Sequence, residues 1–319
     1  MTKFFIYAFL IFFTVLSPFA GTATLDFNTL LDSGSLSQRI FLELRLPRIL
    51  LAFVVGGTLA LAGLLFQTLF RNALMTPFTL GVSGGAVLGA GIAIKLGVAL
   101  ILGISAVSIF GFIGALSTVI LLIVLSRYLK RAEQESLLLL GIALSFFYTS
   151  ALMVIFYLSS FTETATIMRF TMGSLSIVGY ESVIIISVIA AILVLTLYFK
   201  RFELQIIAIS DEQASLKGIN TKRLTYLFLV ITSLAIGVLV SLTGPIGFIG
   251  LIIPHMIRKL YQKPVSELIF PVFFLGGLFL LACDTLARFF STGSEIPIGV
   301  ITALIGGPFF IYLIISKQR

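Results

Sequence analysis

One histidine and one cysteine are all that this chain of 319 residues offers for soft-metal ligation or for imidazole and thiol catalysis. His255 has no second histidine with which to share a metal. It stands beside Arg258 and Lys259, where packing or a hydrogen bond suits it better than ligation. Cys283 lies in an apolar run, which excludes an internal disulfide framework and a cysteine-cluster metal site. The phosphate-loop pattern GxxxxGK followed by Ser or Thr does not occur, so this chain does not hydrolyse ATP by that device. No nucleophile–base pair emerges, and no metal or cofactor is expected on the chain itself.

The polar residues that do form patterns mark helix ends and span ends rather than a catalytic site. Ser210, Asp211, Glu212 and Gln213 make a capping-box start: a hydroxyl N-cap, acids in the first turn, and Gln three residues on. Ala214, Leu216 and then Gly218, a left-handed stop, complete a helix of about two turns. By itself it reads as a solvated connector between spans. Arg45, Arg48 and Arg288 fall at the outer ends of apolar segments, where exposed arginines serve as interfacial anchors. Asp284 lies one helical turn before Arg288, a spacing that favours a structural ion pair.

The elements that must position these groups are membrane spans. Hydrophobic residues make up 59% and charged residues 11% of the chain, and the mean hydropathy is +1.18. A chain so poor in charge cannot cover a water-facing surface, so lipid is its main solvent. Spans are predicted at about 4–23, 47–68, 82–99, 104–126, 137–158, 183–200, 225–243, 248–258, 268–288 and 298–315. The first is taken as an uncleaved helix, and the third and fourth as joined by a hairpin near 96–104. The polar stretches near 21–48, 159–182 and 200–224 are too short for a soluble domain, so residues 1–319 form one membrane domain. With both termini cytoplasmic, only Arg39, Arg45, Arg48, Lys95, Arg169 and Arg288 of the 21 basic residues fall on the outer side. That obeys the positive-inside rule and explains a net charge of +8 without nucleic acid.

Two stretches are ill-suited to straight helices. Between Thr243 and Arg258 the chain must cross the hydrocarbon core with about 14 residues, which as helix cover about 21 Å of the roughly 30 Å needed. Gly244, Pro245 and Gly247 fit an unwound segment, Pro254 a later kink, and His255 follows. Arg71–Ala90 carries Pro77, Gly81, Gly84, Gly85 and Gly89 in a similar manner. The preceding spans run in opposite directions, as an inverted repeat of broken helices would require. Two glycine-rich packing helices would look the same.

The strings LRLPR (44–48), RNALMTPFTLGVSGGA (71–86), GPIGFIGLIIPHMIRKL (244–260), ACDTLARF (282–289) and EIPIGVITALIGGPFFIYLI (295–314) together resemble the FecCD family, the permease subunits of ABC importers for ferric siderophores, haem and vitamin B12. The resemblance implies an all-α polytopic fold of the type II ABC importer permease class, with about ten helices. It implies an inner-membrane location, a second permease subunit (identical or paralogous), two cytoplasmic ATPases that bind ATP and Mg, and an external substrate-binding protein. It makes residues 201–224 the coupling loop, with Ser210–Gly218 seated in an ATPase cleft. It gives Arg45, Arg48 and Arg288 acidic partners on the binding protein. Glu133, Gln134 and Glu135 fall on the cytoplasmic gate, and Ser145, Phe146, Tyr148, Thr149, Met153 and Tyr157 on a helix that lines the cavity. Ala73 and Thr76 depart from the family pattern, which has Pro and an acid there. The rival reading is a secondary transporter or channel that works without an ATPase. Against it stands the lack of ionisable groups at mid-membrane, since Lys95, His255 and Asp284 all fall near span ends.

Overall fold

The computed structural model describes residues 11–21, 32, 35–101, 104–126, 134–176, 178–291 and 295–317. Residues 11–16 are helical. A single turn, Leu36–Arg39, capped by the Ser35 hydroxyl, passes through a π-helical turn, Ile40–Arg45, into α1, Leu46–Leu69. At 1.5 Å per residue the 24 residues of α1 reach about 36 Å, more than a hydrocarbon core. The apolar window of Leu36–Leu69 is 78% buried inside the protein, so α1 is the central post of the bundle.

The other helices are α2 (Val82–Lys95), α3 (Ala106–Ser126), α4 (Gln134–Leu158), α5 (Phe161–Thr171), α6 (Glu181–Phe199), α7 (Arg201–Ile209), α8 (Asp211–Leu216), α9 (Thr221–Thr243), α10 (Ile249–Tyr261), α11 (Val265–Phe289) and α12 (Ile298–Lys317). The expected connection between the third and fourth spans is present as a two-residue hairpin, Leu100–Ile101 against Ile104–Ser105. Among the described residues, six helices are long and apolar enough to cross a membrane, with two shorter apolar helices beside them. The fold is the all-α polytopic one expected.

Two local expectations change, and Pro254 stands inside a helix, where a kink was expected. The stretch 159–182 holds a helix, α5, begun by a full capping box between Ser160 and Glu163. The Ser160 backbone N–H and the Lys95 ammonium 3.1 Å away hold the Glu163 carboxyl below the usual range, which ties α5 to the end of α2. A second helix, α7, precedes the capped helix α8. Pro254 sits within α10 without ending it. Proline at 254 deprives the Gly250 carbonyl of its helical N–H donor. Gln67 of α1 supplies the missing donor, with Nε2 3.0 Å from the Gly250 oxygen.

Helices meet through small residues. A Cβ on Gly63 would fall 1.8 Å from the Gly250 carbonyl oxygen, so α1 and α10 touch backbone to backbone. Gly56 and Gly276 do the same for α1 and α11, where a Cβ on Gly56 would fall 2.3 Å from the facing oxygen. Lipid gives helices no hydrophobic reason to associate, so close packing of this kind carries much of the cohesion. Gly63→Ala should therefore lower the thermal unfolding midpoint of the purified chain in detergent, at a cost of about 1–3 kcal/mol or more. Gly307→Ala, where no atom lies within 4 Å of the added methyl, should be neutral or slightly stabilising. Equal midpoints for the two variants would show that the α1–α10 contact is not tight.

Candidate functional site

The two broken segments begin their second helices alike. Gly81 precedes α2 with φ +79°, and Phe248 precedes α10 with φ +69°. Phe248 is the surprise, because a left-handed conformation is costly for a bulky side chain. Its ring packs directly on Gly306 of α12, where a Cβ would lie 2.3 Å from Phe248 Cγ. The unwound residues Gly244–Gly247 are held by protein: Gly244 and Ile246 are buried, and the Thr243 carbonyl accepts from Ser174 N at 2.7 Å. The α2 entry is closed by reciprocal bonds, Thr76 N to Thr79 Oγ1 at 2.9 Å and Thr79 N to Thr76 Oγ1 at 3.3 Å. Thr76 thus supplies a capping oxygen where the family pattern has an acid. The segments meet across a cavity of about 210 Å³ lined by Thr76, Pro77, Phe78, Gly247 and Phe248. Pro77 and Gly247 therefore lie together although 170 positions apart. His255 is half-buried on the following helix.

At one end of the bundle, α7 and α8 form a hinged pair. Ser210 Oγ accepts from Gln213 N at 3.0 Å, as expected, and Gly218 closes α8 with φ +74°. Ile219 N donates to Ala214 O at 2.9 Å, the long bond of a glycine C-cap. Ala214 is buried, whereas Leu216 is 87% exposed and projects as an apolar knob. The residue that sequence reasoning missed is Arg71. It closes α1 with φ +45° and donates through Nε and Nη2 to the Ile207 carbonyl at the end of α7. Nη2 also pairs with Asp211 at 2.8 Å. The peg is thereby fastened to the loop that leads into α2. A lone arginine after an apolar helix reads as a topology marker, so its partner 140 positions away was not legible.

The opposite end carries a buried charge cluster. Asp284 is fully buried and pairs with Arg48 at 2.9 Å and with Arg288 at 2.9 Å. Arg48 also pairs with Glu295 at 2.8 Å, and Glu295 accepts from the Ser176 hydroxyl. Arg288 donates to the Ser17 and Ala20 carbonyls, and Arg45 to that of Pro18. The Asp284–Arg288 pair was expected. Free arginines were not found: Arg45 is 6% and Arg288 5% exposed, and Arg48 turns inward to Asp284. The reason is that the chain before α1 folds back over this end and offers carbonyl acceptors, which the sequence does not advertise. Asp284 joins α1 to α11, and Glu295 brings the entry to α12 into the same network.

Helix α4 is open on one side, with only 11% of its apolar window buried. Phe146, Thr149, Met153 and Tyr157 lie on its exposed face. Ser145 is half-buried, with its hydroxyl on the Gly141 carbonyl. Tyr148 does not line an open surface: it is 5% exposed, its hydroxyl bonds Thr118 at 2.8 Å, and its ring covers Gly84. Gln134 and Glu135 begin α4, while Glu133 lies outside the described residues. Among the described residues no group of three His, Cys, Asp or Glu side chains could hold a metal.

A polytopic bundle with paired broken helices, a capped peg at one end and an ion cluster at the other defines a transport permease. The FecCD transport family model matches residues 9–316, and the chain belongs to that family. It is 34% identical over 304 residues to the hemin transport system permease protein HmuU of Yersinia pestis, covering 94% of this chain and 90% of that one. Its identity to the "Probable iron chelatin transport system permease protein" of Helicobacter pylori is 34% over 279 residues, 88% of this chain and 83% of that one. A solved structure described as an inward-facing conformation of a metal-chelate type ABC transporter superposes with a TM-score of 0.83 at 28% identity, covering 98% of this chain and 97% of that one. The chain is thus a permease subunit of an ABC importer.

Truncating Asp284 leaves the buried Arg288 guanidinium without a carboxylate and Arg48 with Glu295 alone. Asp284→Ala should cost about 3–5 kcal/mol of stability, as breaking buried pairs does. Glu295→Gln, at a side chain 43% exposed, should cost less than about 1 kcal/mol. Chemical unfolding of both variants in the same detergent checks this, and similar midpoints would remove Asp284 from its structural role.

Proposed function

We propose that this permease carries a ferric siderophore, with haem or cobalamin as the other cargoes of the same kind, and that two partner ATPases drive it. The end bearing Arg71, α7 and α8 is then cytoplasmic, as are both termini, and the Asp284 end faces outward. The observation that carries the ATP-driven reading is the fastening of α8 to the first broken segment through Arg71. A peg rigid at both ends, with an exposed Leu216, suits a cleft in another protein. Movement of the peg passes through Arg71 to the α2 entry and so to the cavity shared with Phe248. The bonds at Arg71 are partly exposed and contribute little stability, which fits a linkage that changes state.

The exposed faces of α4 and α12, with Phe146, Met153 and Tyr157 on one and Leu304, Ile311 and Tyr312 on the other, are assigned to a second permease subunit and the pathway between the two. ATP and Mg belong to the ATPase partners. The outer end docks a substrate-binding protein. There Arg45, Arg48 and Arg288 act by holding the rim in shape, and Arg48 shares its charge with the half-exposed Glu295. Residues 133–135 stand at the cytoplasmic gate.

Leu216→Asp should leave folding intact, because the side chain is already in water, and should lower co-purification of the ATPase by tenfold or more, equivalent to about 1.4 kcal/mol. Arg71→Glu should spare association yet depress substrate-stimulated ATP hydrolysis and uptake. The exchange of Arg71→Glu with Asp211→Arg should restore part of both. Uptake by the purified chain in vesicles, with an ion gradient but no ATPase or ATP, would refute the reading.

A further inference from the structure

A second cavity lies away from the broken segments. It has a volume of about 790 Å³, within the range of roughly 300–1,000 Å³ usual for small-molecule sites. Lys200 and Glu203 form one wall, at the α6–α7 junction, and Asn220, Arg223, Leu227 and Val230 form the other, along α9. Lys200 is engaged by Glu203 at 2.8 Å. Arg223 is exposed and has no carboxylate partner among the described residues. Beside the mouth, Gly218 leaves open space, with no atom within 4 Å of where a Cβ would sit.

The wall on α9 is graded. Arg223, Leu227 and Val230 follow one another at i, i+4 and i+7 and so share a face. Along about 10 Å of helix that face passes from a guanidinium to apolar side chains that are 39% and 37% exposed. Tyr226 also lines the cavity, and Tyr198, Phe199 and Phe202, about the α6–α7 junction, are exposed, with the Arg201 guanidinium 4.1 Å over the Tyr198 ring. Aromatic rings and cations at one level are the signature of a membrane–water interface. A soluble partner would meet the basic mouth but not the apolar strip beyond it. An amphiphile with an anionic head fits both.

We propose that this cavity seats one acidic phospholipid of the leaflet on the α8 side. Its phosphate is held by Arg223 and its acyl chains lie along Leu227 and Val230. Basic cavities between membrane helices recognise acidic headgroups by the same combination. The proposal requires that the chain lie in a membrane, and it rests on the reading above only for calling that leaflet cytoplasmic.

The test uses the full-length chain, delipidated in neutral detergent and titrated with phosphatidylglycerol or phosphatidylcholine, with bound lipid counted by native mass spectrometry. One phosphatidylglycerol should be retained, with a preference of roughly fivefold or more, the amount expected from a single basic residue. Arg223→Gln should abolish the preference, whereas Lys222→Gln, next door but outside the cavity, should keep it. Leu227→Trp should displace the lipid with Arg223 intact, because it fills the apolar wall from an already exposed position. Equal loading of the two lipids would overturn the proposal, as would equal losses in the Arg223 and Lys222 variants or unchanged binding in Leu227→Trp. So would displacement of the lipid by soluble glycerol phosphate at equal concentration. Because neither ATP nor cargo enters the assay, its outcome is independent of the transport reading.

Discussion

Backbone polar groups that leave a helix inside a membrane must find partners in the protein, since lipid offers none. Most of this structure follows from meeting that demand at two places. Residues 244–248 and the stretch before α2 give up helical hydrogen bonds, and their neighbours are arranged to replace them. Ser174 supplies an N–H to the Thr243 carbonyl, and Gln67 reaches across α1 to the Gly250 carbonyl that Pro254 leaves bare. The close glycine contacts serve the same end. Gln67 reaches its target only because Gly63 and Gly250 let the two backbones touch. A central helix that is almost wholly buried is the scaffold on which both broken segments hang.

The charged groups are distributed by what each end must do. At the Asp284 end Asp284, Arg48 and Arg288 are paired away from water, joining α1 and α11 to the chain on either side. Desolvated pairs are costly to break, which makes that end rigid. At the Arg71 end the ions are half-exposed and cheap to separate. One end is built to keep its shape and the other to exchange contacts. The arginines expected to be exposed at the span ends illustrate the difference, because Arg45 and Arg288 are buried and bonded inside.

Much was legible in the sequence because lipid imposes a simple code. Apolar length marked the spans, basic residues marked the loops, and a crossing too short for its thickness marked the break at Gly244. Ser210 and Gly218 announced the peg, since capping depends on residues only three or four positions apart. Helices α5 and α7 were missed because they are short and amphipathic in polar stretches, where apolar length says nothing. Tyr148 was misplaced because a tyrosine on a membrane helix suits a pathway and a core equally. Only its Thr118 partner separates the two.

By itself, the sequence determined the all-α class, the order of the spans, the position of both breaks and the caps of the short helix α8. Each of these is set by residues close together along the chain. Tertiary structure alone decided which groups meet: Arg71 with Asp211, Gln67 with Gly250, Arg48 with Asp284 and Glu295, Phe248 with Gly306. All of these but Phe248–Gly306 join residues more than 100 positions apart. Their pairing is fixed by how the helices pack, as where Gly63 and Gly250 bring Gln67 within reach of the Gly250 carbonyl, a three-dimensional property that no local pattern encodes.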